Sequence, residues 1–304
     1  MPDKPHPVAP DSGPAENPQA ASSQRLPSKG VEEPSAGDAP AQEAAPGVVS
    51  TDRLLQAIGP RELRCALLAL LLPHGSRRAL ASWQGETIDE TPYSTQLRDE
   101  ALALEGSSRL PWFERLLVRM ASQPAAERKT LLESTRRVVS ARGSVQAIDT
   151  LHWLLMRRRL SPLPAQPHAA SPDSGFSKLP EADVYPIARY SAFLSRMVPV
   201  DSPDGEGGAA WYASVMMRWQ LRVEVPAQLP LPDSDALVQA LQHVAGLPWM
   251  QRPVLMREWV SNALKHSPPG GLSAVAADAL RMSCALLDTP LPPDLSRHYI
   301  EPYP

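Results

Sequence analysis

Seven histidines, two cysteines and one short acidic cluster are the residues of this sequence whose types could hold a metal or drive catalysis. A helix-borne HExxH motif needs two imidazoles one turn apart on zinc, with a glutamate between them to activate water. The histidines here are His6, His74, His152, His168, His243, His266 and His298, and no two lie four residues apart. Cys65 and Cys284 lack CxxC spacing, which points to buried thiols in a reducing compartment rather than to a disulfide framework. The stretch "DSPDGEGG" gathers Asp201, Asp204 and Glu206 among glycines, but it lacks the ligand spacing and terminal glutamate of a calcium loop and reads as a solvated turn. Ser273 in "GLSAV" misses the second glycine of a nucleophile elbow and reads as a helix N-cap. No phosphate-cradling glycine motif occurs. The expectation is a chain with no catalytic residue, no cofactor and no metal site.

Charge and aromatic residues offer a different chemistry. Arg136, Arg137, Arg142 and the run Arg157, Arg158 and Arg159 are grouped around one predicted hairpin. Cations in a last helical turn suit the helix dipole without any ligand, so a solvated face accounts for the run. The sharper reading is a docking surface for an acidic protein partner or for lipid headgroups. Trp112 and Trp249 are added as candidate anchors, because tryptophan is over-represented at binding hot spots. A formal net charge of −3 provides no overall attraction to nucleic acid, and none is expected as a partner.

The elements that must position these residues read as helices. Residues 1–48 hold ten prolines and nine alanines, with three basic residues against seven acidic ones, and are expected to be a disordered tail. A helical module then spans 49–160. Within it Leu54, Leu55 and Ile58 begin an amphipathic turn, "RELRCALLALLL" is a mostly apolar helix, and Leu97, Ala101 and Leu104 share a face. Leu131, Leu132, Thr135, Val138 and Val139 form a helical stripe behind Pro124. Gly143 breaks that helix, and Val145, Ile148, Leu151, Leu154 and Leu155 line the next. A proline-rich linker is expected over 161–181, and a second helical module over 182–304. There helices are expected at 184–198 and 208–223, then one beginning at a cap-like Ser234, then one with Pro253 in its first turn. A last helix carries Leu272, Val275, Ala279, Met282 and Leu286 on one face and stops at Pro290, Pro292 and Pro293. The best strand candidate, "RWQLRVEVPAQL" at 218–229, has weak alternation.

"LPWF" at 110 and "LPWM" at 247 each open a helix-rich block, and Pro124 and Pro253 each precede a turn glycine, Gly143 and Gly271, by a similar spacing. The fold expected is all-α, helical hairpins in a bundle, with two diverged repeats. The longest apolar run, "CALLALLL", is far short of a bilayer span, and the first residues contain no apolar leader. A cytoplasmic protein is expected.

"LPWFERLLVRMASQPAAERKTLLESTRRVVSARGSVQAIDTLHWLLMRRRL" and "GLSAVAADALRMSCALLDTPLPP" together resemble the C-terminal cytosolic region of bacterial HtpX-like membrane zinc metallopeptidases. That region follows the catalytic domain and contains hairpins similar to TerB-like (tellurite-resistance B) modules. The resemblance covers roughly 50–295 and implies a non-catalytic module, detached from its enzyme, that docks on a protein partner such as a membrane zinc metallopeptidase, peripheral to the inner membrane. It leaves two alternatives: the regulatory half of a split zinc metallopeptidase, or a TerB-like metal-responsive protein. The TerB-like turn carries Asp-Gly and a later acid. Here the positions are Arg142-Gly143 with Asp149, and Gly270-Gly271 with Ala276, so a cation would lack carboxylates at both turns.

Overall fold

The computed structural model describes residues 51–161, 179–199, 206–220 and 232–302. The expected tail at 1–48, nearly all of the expected linker, the acidic cluster up to residue 205 and most of the strand candidate lie outside the described residues. Within them the chain is all-α, with thirteen helices and no strand. The order is α1 (Asp52–Gln56), α2 (Pro60–Leu70), α3 (Arg77–Thr87), α4 (Ser94–Ala103), α5 (Gly106–Ala121), α6 (Ala125–Ser140) and α7 (Ala147–Leu160). It continues with α8 (Glu181–Leu194), α9 (Glu206–Met216), α10 (Ser234–Ala245), α11 (Gln251–His266), α12 (Ala274–Leu286) and α13 (Pro293–Ser296).

The caps show why these helices start where they do. Ser273 caps α12, its hydroxyl accepting from Ala276 N at 3.2 Å, as expected from its type. At α10 the cap is Asp233, one residue earlier than the Ser234 expected, and its carboxylate accepts from Ala236 N at 2.8 Å. Asp149 and Gln146 form a reciprocal capping box at α7, so Val145 lies in the preceding turn and is exposed. Gly143 and Gly271 have φ of +89° and +94°, conformations that a side chain would strain. Pro124 stands just before α6 as its N-cap.

Packing follows the apolar stripes. Leu131, Thr135 and Val138 of α6, Leu151, Leu154 and Leu155 of α7, and Ala279, Met282 and Leu286 of α12 are buried. Ile58 and Val275 point outward. The α3 segment carries a weak pattern, but Trp83 pins it: the ring is buried and its N–H donates to Cys65 O of α2 at 3.1 Å.

The order of packing recurs along the chain. In the first half α2 lies against α3 and α4, α3 against α6, and α6 against α7. In the second, α8 lies against α9 and α10, α9 against α11, and α11 against α12. Both hairpins start with a 16-residue helix, α6 and α11, and turn at a glycine of positive φ. Trp211 of α9 is buried like Trp83 of α3, and its ring N–H donates to Trp259 O at 3.1 Å. The halves meet where α7 packs on α12, with α5 beside both. Tyr190 OH of α8 and Ser283 Oγ of α12 lie 2.9 Å apart in the core. All of these helices belong to one compact unit, Val48–Pro304.

Candidate functional site

The arginines singled out by sequence divide into three groups. Arg142 is an internal residue. It pairs with the buried Asp149 carboxylate and donates to Leu71 O just past α2, so the residue before the Gly143 turn is a cation with its own internal partners. Asp149 Oδ2 takes Gln146 N at 3.0 Å, and that carboxylate is committed. Trp112 is likewise buried, which places it in the core rather than on a docking surface. Arg136, Arg137 and Arg158 reach the surface but already have partners. Arg136 lies 4.7 Å over the Trp153 ring, Arg137 grips Glu86 with two nitrogens, at 2.5 and 2.8 Å, and Arg158 pairs with Asp288. The third group, Arg157, Arg159 and Trp249, is exposed, Trp249 to 73%.

Other arginines satisfy helix C-termini, whose last carbonyls have no intrahelical donors. Arg109 donates to Ala69 O, Leu70 O and Leu72 O. Arg119 reaches Leu54 O, Leu55 O and Ala57 O, and Arg252 reaches Leu287 O. Much of the positive charge that sequence counts as surface is therefore structural.

Arg159 lines a cavity of about 370 Å³ between α5, α7 and α12. Pro111, Leu117, Val118, Leu155 and Ala285 supply apolar walls, and Glu114, Arg115, Arg159, Arg281 and Glu301 supply charge. Arg281 rises into it from α12 at 8% exposure. Its Nε and Nη2 donate to Glu114 Oε2 at 2.9 and 2.8 Å. Its Nη1 and Nη2 donate to Glu301 Oε1 and Oε2 at 2.6 and 3.2 Å. Below this pair the Tyr299 ring lies 4.5 Å from the Arg281 guanidinium carbon, and Tyr299 OH donates to Asp278 Oδ1 at 3.0 Å.

Burial sets the protonation of this cluster. It pushes the Asp278 carboxyl up to about 7, against the opposing Tyr299 hydrogen bond and Arg281 charge. It raises the Tyr299 hydroxyl as well, helped by the Asp278 charge. For Arg281 burial opposes the charge, but the Glu301 and Glu114 carboxylates outweigh it and the guanidinium is held firmly protonated. The two partners do not mirror each other: Glu114 loses more to burial than Arg281 returns, and its carboxyl lies above the ordinary range.

The remaining ionisable candidates have structural places. His152 packs edge-on to Phe113, ring centroids 5.1 Å apart, and burial lowers it to about 4. Burial raises both thiols, Cys65 and Cys284, to about 12. His243 Nε2 meets Asp183 Oδ1 at 2.7 Å, joining the last turn of α10 to the first turn of α8. Among the described residues no three His, Cys, Asp or Glu side chains converge as a metal site, and no helix is long and apolar enough to cross a membrane.

Sequence reasoning found Arg159 of this groove and missed Glu114, Asp278, Arg281, Tyr299 and Glu301. One signal was available: Arg281 is the single basic residue of the mostly apolar α12, "AVAADALRMSCAL", and a buried arginine needs carboxylates. Its partners lie 167 residues back and 20 residues ahead, and no local pattern joins them. Comparison with protein-family models, curated proteins and solved structures finds no match to this chain.

Proposed function

We propose that the chain is a non-catalytic helical docking module for a protein partner, a membrane zinc metallopeptidase of the HtpX-like kind whose cytosolic region it resembles. The observation that carries this reading is the open groove between α5, α7 and α12. Its lining joins apolar walls to arginines and to two glutamates that Arg281 already engages, and among the described residues it holds no serine, cysteine or histidine. Apolar surface rimmed by polar groups is what a partner segment needs. The recurring packing of α2, α3, α4, α6 and α7 in α8 to α12 supports a module built from two diverged TerB-like copies, with the groove at their junction.

In this reading the partner brings the HExxH chemistry, and the module orients or regulates it from the cytoplasmic side of the inner membrane. A metal-responsive role is disfavoured by the Arg142 guanidinium, which already neutralises Asp149. The test is an affinity pull-down of the tagged full chain from gently solubilised membranes, wild type beside Arg159→Glu. The reading predicts an HExxH peptidase enriched by the wild type and depleted by the variant. Recovery of the chain alone in both, or stoichiometric zinc with proteolysis by the purified chain, would overturn it.

A further inference from the structure

The stretch 299–302 is held as a bound peptide is held, and it occupies one end of the groove. Pro111 has no N–H, so the Ser107 carbonyl of α5 lacks its usual donor four residues on. Ile300 N–H supplies one at 3.2 Å. Arg115 Nη1 then takes the Pro302 carbonyl at 3.2 Å. Between these two main-chain contacts, Glu301 lays its carboxylate across the Arg281 fork. Main-chain capture on either side of one charge-assisted carboxylate contact is a recurring way to bind an extended segment.

The occupant is shallow. Glu301 keeps 60% of its side-chain exposure and Ile300 is 57% exposed, whereas Leu295 and Tyr299 behind them are buried anchors. The cavity continues along Leu117, Val118, Leu155 and Arg159. Arg159 is exposed and makes no ion pair among the described residues. Arg281 shares two carboxylates, Glu114 and Glu301, and loses one of them when Glu301 leaves.

We propose that this groove binds an acidic peptide segment of the partner, and that 300–302 is its displaceable internal occupant. A partner carboxylate replaces Glu301 on Arg281, the partner backbone takes the Ser107 carbonyl and Arg115, and apolar residues beside it fill the cavity toward Leu117 and Leu155. A second carboxylate reaches Arg159. The chain thereby limits its own docking until a segment with a better fit competes. This rests on the docking reading above and specifies its ligand.

The test is fluorescence anisotropy with the full chain and a labelled peptide, IEPYPLE, which copies 300–304 and adds an acid for Arg159. Its neutral counterpart is IQPYPLQ. The chain with Glu301→Ala binds the acidic peptide at least about tenfold more tightly than wild type does. The neutral peptide loses that gain, and so does the acidic peptide when Arg159→Glu is added to the Glu301→Ala chain. Arg159 is exposed, so this second change reads the site without disturbing the fold. Equal affinity of wild type and Glu301→Ala, equal affinity for the two peptides, or no binding by the Glu301→Ala chain overturns the proposal. If it falls while wild type still captures the peptidase, docking uses another face. If it holds while no peptidase is captured, the function proposed above falls instead.

Discussion

Replacing Asp278 by Asn tests the electrostatics beneath the 299–302 stretch. Burial moves the Asp278 carboxyl from 3.8 to about 7 in the folded chain. The folded state therefore binds its proton more tightly than the unfolded state. The stability this gives is full below the unfolded value and is lost as pH rises to the folded one. Linkage puts the total penalty above pH 7 at about 4 kcal/mol, with about 2–3 kcal/mol of it accruing between pH 5 and pH 8. Asparagine keeps an oxygen to accept from Tyr299 OH and removes the charge. His152, held low by burial, works in the opposite sense, losing stability as pH falls from its ordinary value toward about 4. The difference between wild type and variant cancels that contribution. Urea unfolding of both chains at pH 5, 6.5 and 8 measures it. Asp278→Asn gains on wild type by about 2 kcal/mol across that range. Parallel curves, or a variant less stable than wild type at pH 8, would refute the reasoning.

Three further outcomes follow from the packing. Arg142→Met leaves the buried Asp149 without its cation, and chemical denaturation should show a loss of about 3–5 kcal/mol. Gly208→Ala forces a Cβ to 2.0 Å from Ser195 O, so α8 and α9 must part; a fall in thermal midpoint is expected, corresponding to about 1–3 kcal/mol. Cys65 and Cys284, buried and raised to about 12, should resist a thiol reagent at pH 8 in the native chain and both react in denaturant. Rapid native labelling of either would contradict the burial.

The helices were legible wherever apolar spacing and a cap agreed. The α6, α7 and α12 stripes, the Ser273 cap and the breaks at Gly143 and Gly271 are local properties, and local physics decides them. The α5 helix is harder to read, because Pro111 sits inside it. The missing bond is made good by Ile300 N–H, from a residue far along the chain. Charge was least legible. Arginine on a helix looks the same in sequence whether it is solvated like Arg157, stacked on Trp153 like Arg136, or closing a helix end like Arg109 and Arg119. Only the three-dimensional placement of carbonyls and carboxylates separates these cases. The groove was hidden for the same reason: Arg281, Glu114 and Glu301 become one cluster when α5 and α12 pack together.

The most direct measurement places a photocrosslinking residue, p-benzoylphenylalanine, at Val118 on the exposed wall of the groove, and separately at Lys129 on the exposed face of α6. Irradiation of cells followed by mass spectrometry identifies what each position touches. The docking account predicts an adduct with a membrane zinc metallopeptidase from position 118, absent from position 129 and lost when Arg159→Glu is added. No adduct from position 118, or the same adducts from both positions, would contradict it.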